Sequence, residues 1–387
     1  MPIQTDYLIV GAGLSGLVLA ERLSTQLGKR CLVVERRGHI GGNSQDEYDA
    51  AGVLVHKYGP HYFRTDSVSV KDYLSQFTEW HPVDYQILSW ARGRYWNFPI
   101  NLNTFEQLIG RPSEEAEFQE YLRAKRVPIA SPANSEEVIL SQVGEEFYEL
   151  FFKGYTEKQW RLHPRDLDPS LCRRIPIRTN RNDRYLREEF QALPKLGYHK
   201  MFERMAASAN GVRIMLNTDY REVLPQVQYG HMIFTGPVDE FYDHRFGRLP
   251  YRSLRFESES FSPEQLAGRE SIAGKKGFWQ PAMQVNYPDE QDFTRIVEIK
   301  HATGQMVPQT TIVREYPQDF IPGREPYYPI PTAAAQALYR QYAELAERET
   351  NITFVGRLAT YSYHNMDQVV ALALAEFDRL KSQLVRQ

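Results

Sequence analysis

The residues of this chain best suited to chemistry begin with three glycines. Gly11, Gly13 and Gly16 form a Gly-x-Gly-x-x-Gly string directly after the apolar run 6–10. Glycines in that setting allow a tight turn and a close approach of backbone to ligand. A helix opening at the same point directs free N–H groups and the positive end of its dipole at a diphosphate. Three glycines alone occur by chance; a strand before them, a helix after them and an acid further on give them meaning. Glu35 supplies the acid, 24 residues beyond Gly11 and closing the run Arg30-Cys31-Leu32-Val33-Val34-Glu35. A carboxylate about 20 residues on suits the hydroxyl pair of an adenosine ribose. A second glycine pair follows in Arg36-Arg37-Gly38-His39-Ile40-Gly41-Gly42-Asn43, where extra backbone amides can lie along a longer cofactor.

These residues need elements to hold them. Residues 6–10 and 30–35 are short apolar runs, as expected of buried parallel strands, and Leu17 to Leu27 reads as a helix ended by Gly28. Together they make a dinucleotide-binding βαβ unit. Residues 104–160 differ: helical patterns recur over Thr104–Ile109, Glu114–Arg126 and Ser135–Lys153, with Ser113 and Ser135 each followed by two glutamates as helix starts. From about 230 to 331 the pattern is strand-like, over His231–Thr235, Phe293–His301 and Gln309–Tyr316, with prolines and glycines that predict antiparallel sheet. Thr332–Glu349 returns to helix, Ile352–Gly356 is a strand running into a glycine, and Asp367–Leu384 is an amphipathic helix. The predicted fold is α/β. A discontinuous Rossmann-like domain (1–78, 193–240 and 342–387) opens and closes the chain, a helical domain occupies 100–172, and an antiparallel sheet domain takes 79–99, 173–192 and 241–341.

Composition narrows the class. With 387 residues, 42% hydrophobic and 25% charged, the chain has ample material for a core. A net charge of −3 gives no global reason to expect nucleic acid or an anionic membrane as partner. The basic run from Arg173 to Arg187 reads mostly as a solvated or ion-paired face. Cys31 and Cys172 have no metal-type spacing, so neither a disulfide scaffold nor a metal site is expected, and a reducing cytoplasm fits. Residues 1–7 lack the pattern of a signal peptide, and the apolar stretch from Tyr7 to Ala20 is short of the ~20 residues of a membrane span. Twenty-four tyrosines offer flat apolar faces with hydroxyls, suited to large polar ligands.

The doubled glycine pattern, with the terminal Val355-Gly356-Arg357 turn, resembles FAD-binding proteins of the amine-oxidase and disulfide-reductase type. Longer strings are more specific. They include His56-Lys57-Tyr58-Gly59-Pro60-His61, Lys153-Gly154-Tyr155-Thr156-Glu157-Lys158-Gln159-Trp160, Arg174-Ile175-Pro176-Ile177-Arg178, Thr235-Gly236-Pro237-Val238-Asp239, Pro250-Tyr251-Arg252-Ser253-Leu254, Glu325-Pro326-Tyr327-Tyr328-Pro329 and Gly356-Arg357-Leu358-Ala359-Thr360-Tyr361. In this order, nearly end to end, they resemble the prokaryotic UDP-galactopyranose mutases. The resemblance implies an FAD-binding Rossmann-like domain, a helical domain with a mobile substrate lid and a six-stranded antiparallel sheet. It implies interconversion of the pyranose and furanose forms of UDP-galactose for cell-surface polysaccharide, with FAD active in its reduced form. Its N5 acts as nucleophile on the anomeric carbon and UDP is the leaving group. A homodimer or larger assembly and an unidentified electron donor follow from the same resemblance.

Site roles carry over residue by residue. Arg174 and Arg295 match the arginines that clamp the diphosphate, for which a guanidinium, always charged and able to donate in pairs, is suited. Tyr185, Tyr328 and Tyr363 match tyrosines that hydrogen-bond the phosphates. Tyr155 is expected to stack on uracil, Phe152 to line the uridine pocket and Trp160 to lie on the lid. His61 belongs to the loop against the flavin ring, without a general-base role. Gly11, Gly13, Gly16, Glu35, Arg36, Gly42, Asn43, Arg357 and Asp367 are the expected cofactor contacts. The chain departs from the family at His61-Tyr62-Phe63-Arg64-Thr65, where the family usually reads His-Ile-Phe-His-Thr, and in Val83 to Leu88, which lacks the usual His-Arg stretch. Arg64 is therefore expected to adjust substrate choice, for instance by donating to an acetamido carbonyl. The alternatives are a mutase for UDP-N-acetylgalactosamine or a dTDP-6-deoxyhexose, an amine-oxidase-like oxidoreductase and an inactive sugar-binding homologue.

Overall fold

The computed structural model describes residues 2–267 and 277–386; Met1, residues 268–276 and Gln387, which fall in the expected Rossmann-like and sheet segments, lie outside it. The nucleotide-type unit is a five-stranded sheet, all parallel, in the order Val212–Met215, Cys31–Val34, Ile3–Val10, Val227–Phe234, Ile352–Phe354. The helix after the first strand starts at Leu14, three residues earlier than expected, because extended Gly13 serves as its N-cap and takes the Leu17 N–H at 3.0 Å. Two glycines there are required by space and backbone. Gly11 has φ +103°, and a Cβ on Gly16 would lie 2.0 Å from the Gly11 carbonyl oxygen. The C-terminal helix Met366–Arg386 packs on Leu14–Leu27, so the end of the chain closes the unit that its start opens.

The second sheet has seven strands among the described residues, one more than expected. Its order is Tyr328–Pro329, Tyr251–Phe261, Thr310–Asp319, Arg295–Val297, Gln284–Asn286, Ile87–Ala91, Arg94–Phe98. Every pairing is antiparallel except that of Gln284–Asn286 with Ile87–Ala91. The expected strand Phe293–His301 shortens to Arg295–Val297. Fully buried Glu298 accepts the N–H groups of Trp279 and Gln280, and the chain turns there into a short helix, Lys300–Thr303. A three-stranded sheet, Phe63–Thr65, Phe190–Pro194 and Trp80–Pro82, joins the units, so the expected boundary at 192/193 falls inside a strand.

The middle segment is helical: Leu102–Ile109, Glu115–Lys125, Ser135–Val143 and Lys153–Trp160. The single helix expected over Ser135–Lys153 breaks at Gly144, whose φ is +79° and whose Cβ would sit 2.4 Å from the Lys125 carbonyl oxygen. Asn134, not Ser135, is the N-cap, accepting the Glu137 N–H at 2.9 Å. Ser113 caps nothing; its hydroxyl binds Glu117, and Glu114 holds the N-cap position. No helix among the described residues is long and apolar enough to cross a membrane.

Candidate functional site

Two cavities meet at the junction of the parallel sheet and the seven-stranded sheet. The larger, about 300 Å³, starts at the glycine turn, where Gly11, Gly13, Gly42 and Asn43 line it, and reaches His61, Arg64 and Arg357. Gly16 is not on its wall; it lets the turn fold back on itself. A Cβ on Gly42 would lie 2.9 Å from Gly13 Cα, so the two glycine turns pack backbone to backbone and form a cradle that side chains would fill. Glu35 is buried, and its two oxygens accept the N–H groups of Ala12 and Arg37, each at 2.9 Å. Each oxygen keeps a lone pair for a ribose hydroxyl. Asn43 Oδ1 accepts from Arg37 at 2.9 Å. Arg36 lines the cavity, but its guanidinium is engaged by Glu325 at 2.9 Å and Glu240 at 3.8 Å.

The far end of this cavity is capped by the first residues of the C-terminal helix. Asn365, Met366 and Val369 line it, whereas Asp367 does not. The Asp367 Oδ1 is buried without a partner. Burial raises its carboxyl pKa against a pull from Arg64. Arg64 lines only the larger cavity and is held by Glu188 at 3.2 Å. The structure therefore places Arg64 beside the cofactor-type cavity, away from the smaller one. His61 is half-buried beside His56, and its Nδ1 lies 2.9 Å from the Gly59 carbonyl oxygen. Desolvation, with His56 adding to it, lowers its pKa to about 3. The ring is thus neutral, with the proton on Nδ1 donated to Gly59 and Nε2 left as an acceptor; this tautomer is assigned from the hydrogen bond.

The smaller cavity, about 90 Å³, gathers Phe152, Tyr155, Trp160, Tyr185, Arg174 and Arg295, and it shares Tyr328 and Tyr363 with the larger. Those two rings stack with centroids 5.7 Å apart, and Trp160 leans on Tyr328 at 6.1 Å. Arg174 and Arg357 each lie against the Tyr363 ring, 4.7 and 4.8 Å from its centroid. Desolvation works to raise the Tyr363 phenol, but Arg174 and then Arg357 outweigh it and bring its pKa down to about 8. Arg357 Nε is buried with no hydrogen-bond partner. Arg295 is bound through two nitrogens by Glu315, at 2.8 and 2.7 Å. Glu315 is only 1% exposed, and its second oxygen has no partner. Three guanidiniums thus converge where the cavities join, and among the described residues only Arg295 has a carboxylate. An unbalanced positive cluster beside hydroxyl donors and flat rings is suited to a diphosphate carrying a planar base.

Glu315 is the residue that the sequence did not single out. A lone glutamate in an alternating strand carries no motif. Only the antiparallel register, which sets Arg295 opposite Glu315, makes the pair visible.

A model of the UDP-galactopyranose mutase family matches residues 150–363, and one of NAD(P)-binding Rossmann-like domains matches residues 9–77. The chain is 38% identical to a probable UDP-galactopyranose mutase of Klebsiella pneumoniae, over 99% of this chain and 96% of that one. It is 33% identical to a dTDP-fucopyranose mutase of Escherichia coli, over 95% and 96%. In fold it resembles a crystal structure of reduced UDP-galactopyranose mutase, with TM-score 0.75, 18% identity and coverage of 98% and 94%.

Proposed function

Because the chain belongs to the UDP-galactopyranose mutase family and is an isomerase of nucleotide sugars, we propose that it interconverts UDP-galactopyranose and UDP-galactofuranose with the help of reduced FAD. The observation that carries this reading is the meeting of Arg174, Arg295 and Arg357 at Tyr328 and Tyr363, where the two cavities join. The cofactor would lie in the larger cavity. The N–H groups of the glycine turn and the helix opening at Leu14 take its diphosphate, Glu35 its ribose, and Arg357 and the start of the C-terminal helix its flavin end. The glycine cradle and the unpartnered Arg357 Nε support that fit. Reduced FAD, when bound, supplies the nucleophile that displaces UDP from the anomeric carbon.

The protein's own side chains hold the leaving group. Charge grows on the diphosphate oxygens as UDP departs, and Arg174 and Arg295 stabilise it without a proton transfer. Glu315 fixes Arg295 in the wall, so that the guanidinium is oriented before the substrate arrives. Tyr185, Tyr328 and Tyr363 add hydroxyl donors, and Tyr155 and Phe152 offer flat faces to the base. Neutral His61 offers Nε2 as an acceptor at the larger cavity. The same reading calls for an electron donor, a homodimer or larger assembly and a cytoplasmic setting in which FAD stays reduced.

The sugar is tested with Arg64. Reduced wild type and Arg64→His are each assayed with UDP-galactose, UDP-N-acetylgalactosamine and a dTDP-6-deoxyhexose, scoring pyranose–furanose conversion. With Arg64 held by Glu188 at the larger cavity, UDP-galactose should be the preferred substrate of both proteins, and the kcat/KM ratio between sugars should agree within about twofold, since a lost contact to a buried acetamido group would cost about 1–3 kcal/mol. A shift of tenfold or more in that ratio would put Arg64 against the sugar. Preference for another nucleotide sugar would replace galactose in the proposal.

A further inference from the structure

The smaller cavity has two walls. The helix Lys153–Trp160 brings in Tyr155 and Trp160, and the strand Arg295–Val297 brings in Arg295. Arg295 is the charged group that acts most strongly on the Tyr155 hydroxyl. The gap between these walls governs how a base and a diphosphate fit together, and one lysine spans it from behind.

Lys158 Nζ donates to four carbonyls of one loop: Tyr287, Asp289 at 2.8 Å, Gln291 at 2.9 Å and Phe293 at 3.3 Å. The loop joins strand Gln284–Asn286, two of whose residues line the cavity, to the strand of Arg295. An ammonium has three donors, so the four alternate carbonyls curled around it in a ring share them, with one N–H divided between two oxygens. No carboxylate lies within ion-pair distance of Lys158 among the described residues. Burial pulls its pKa down to about 8, opposed by Asp289 and Asp292, and the carbonyl dipoles offset the cost of burying the charge. One turn earlier, Gly154 meets the same loop: a Cβ there would come 2.4 Å from the Pro288 carbonyl oxygen, so the helix lies directly on the loop's backbone. Fully buried Arg252 donates from Nε to the Gln159 carbonyl at 3.0 Å and ties the last turn of the helix to the sheet. On the other side, Asp289 accepts the Arg92 N–H at 2.8 Å and anchors the loop to the hairpin 87–98.

We propose that Lys158 is a positioning residue: its carbonyl ring locks the Tyr155 helix to the loop leading into Arg295 and so sets the span of the nucleotide-diphosphate site. The inference rests on the nucleotide-sugar reading above. It makes residues 153–160 a fixed wall, whereas the sequence predicts a mobile lid that includes Trp160. Any closing motion then begins after Arg161, which stands at φ 56° and leads into the segment with Arg174.

The test is calorimetric titration of UDP into flavin-loaded wild type, Lys158→Ala and Lys158→Arg. Lys158→Ala should bind UDP about tenfold or more weakly at unchanged flavin content, because emptying the ring strands partly buried carbonyls and frees the wall. KM for the nucleotide sugar should rise more than kcat falls. n-Propylammonium, which replaces the atoms removed, should restore binding in the alanine variant and leave wild type unaffected. Lys158→Arg should also bind weakly, because a planar fork does not match a ring of four carbonyls. Wild-type UDP affinity in either flavin-loaded variant would overturn the proposal. So would failure of both variants to take up flavin, which would make Lys158 a folding residue. Absence of UDP binding by wild type would instead refute the nucleotide-sugar reading.

Discussion

Oxidised enzyme should be inactive and the same preparation, reduced with dithionite under nitrogen, fully active. The expectation follows from the site's inventory of nucleophiles. Around the junction of the two cavities stand arginines, tyrosines and a neutral histidine, and the one cysteine there, Cys172, is buried with its thiol pKa raised. A raised thiol is a poor nucleophile at neutral pH. The arginines can stabilise a departing diphosphate, but they cannot replace it on carbon. On the proposed reading, a cofactor held by the glycine cradle of the larger cavity would supply that group. The readout is pyranose–furanose conversion by chromatography, before and after reduction and again after admission of air. Equal rates in both states would remove the flavin from the chemistry and leave the cavity as a structural binding site.

Arg174→Ala and Arg295→Ala should each lower turnover by about 10²–10³-fold, the loss of about 2.7–4 kcal/mol seen when a donor to developing charge is removed. Folding and flavin content should change little for Arg174, which has no carboxylate partner among the described residues. Arg295→Ala carries a second cost, since it strands Glu315, 1% exposed, as an unpaired buried charge. The double variant Arg295→Ala/Glu315→Ala separates the effects: it should recover thermal stability but not turnover. A near-wild-type rate for either single variant would remove that arginine from the diphosphate site. Recovery of turnover in the double variant would mean that Arg295 matters only as the partner of Glu315.

The parts of this site readable from sequence are those whose chemistry is local. Gly11, Gly13, Gly16 and Glu35 announce themselves because a turn, a helix start and an acid at fixed spacing answer to one ligand. Arg174 at a helix end, Arg295 and Tyr328 on strands and Tyr155 on a helix share no such spacing, and only the family resemblance points to them. What stayed hidden depends on pairing across the fold. Glu315 becomes meaningful only once its strand lies beside that of Arg295. Lys158 becomes meaningful only once a loop more than a hundred residues away curls around it. Arg64 was legible as a departure but not as a contact, since Glu188, which holds it, comes from the neighbourhood of a different strand. The caps expected at Ser113 and Ser135 lie one residue away for a simpler reason: Glu114 and Asn134 stand next to them, and neighbouring candidates for one cap are separated only by the backbone path. The break at Gly144 has the same origin, since a glycine within an apolar helical pattern marks a stop only when another chain segment presses on it.

The central claim is that UDP leaves the anomeric carbon and returns to it while the arginines hold it. Positional isotope exchange tests this most directly. UDP-galactose labelled with oxygen-18 in the bridge between the anomeric carbon and the β-phosphorus is incubated with reduced enzyme, and recovered substrate is examined by phosphorus NMR. Label should move from the bridge into the non-bridging β-phosphate oxygens at a rate no slower than ring interconversion. Interconversion with all of the label still in the bridge would contradict departure and return of UDP, since a β-phosphate freed from carbon and able to turn must scramble the label.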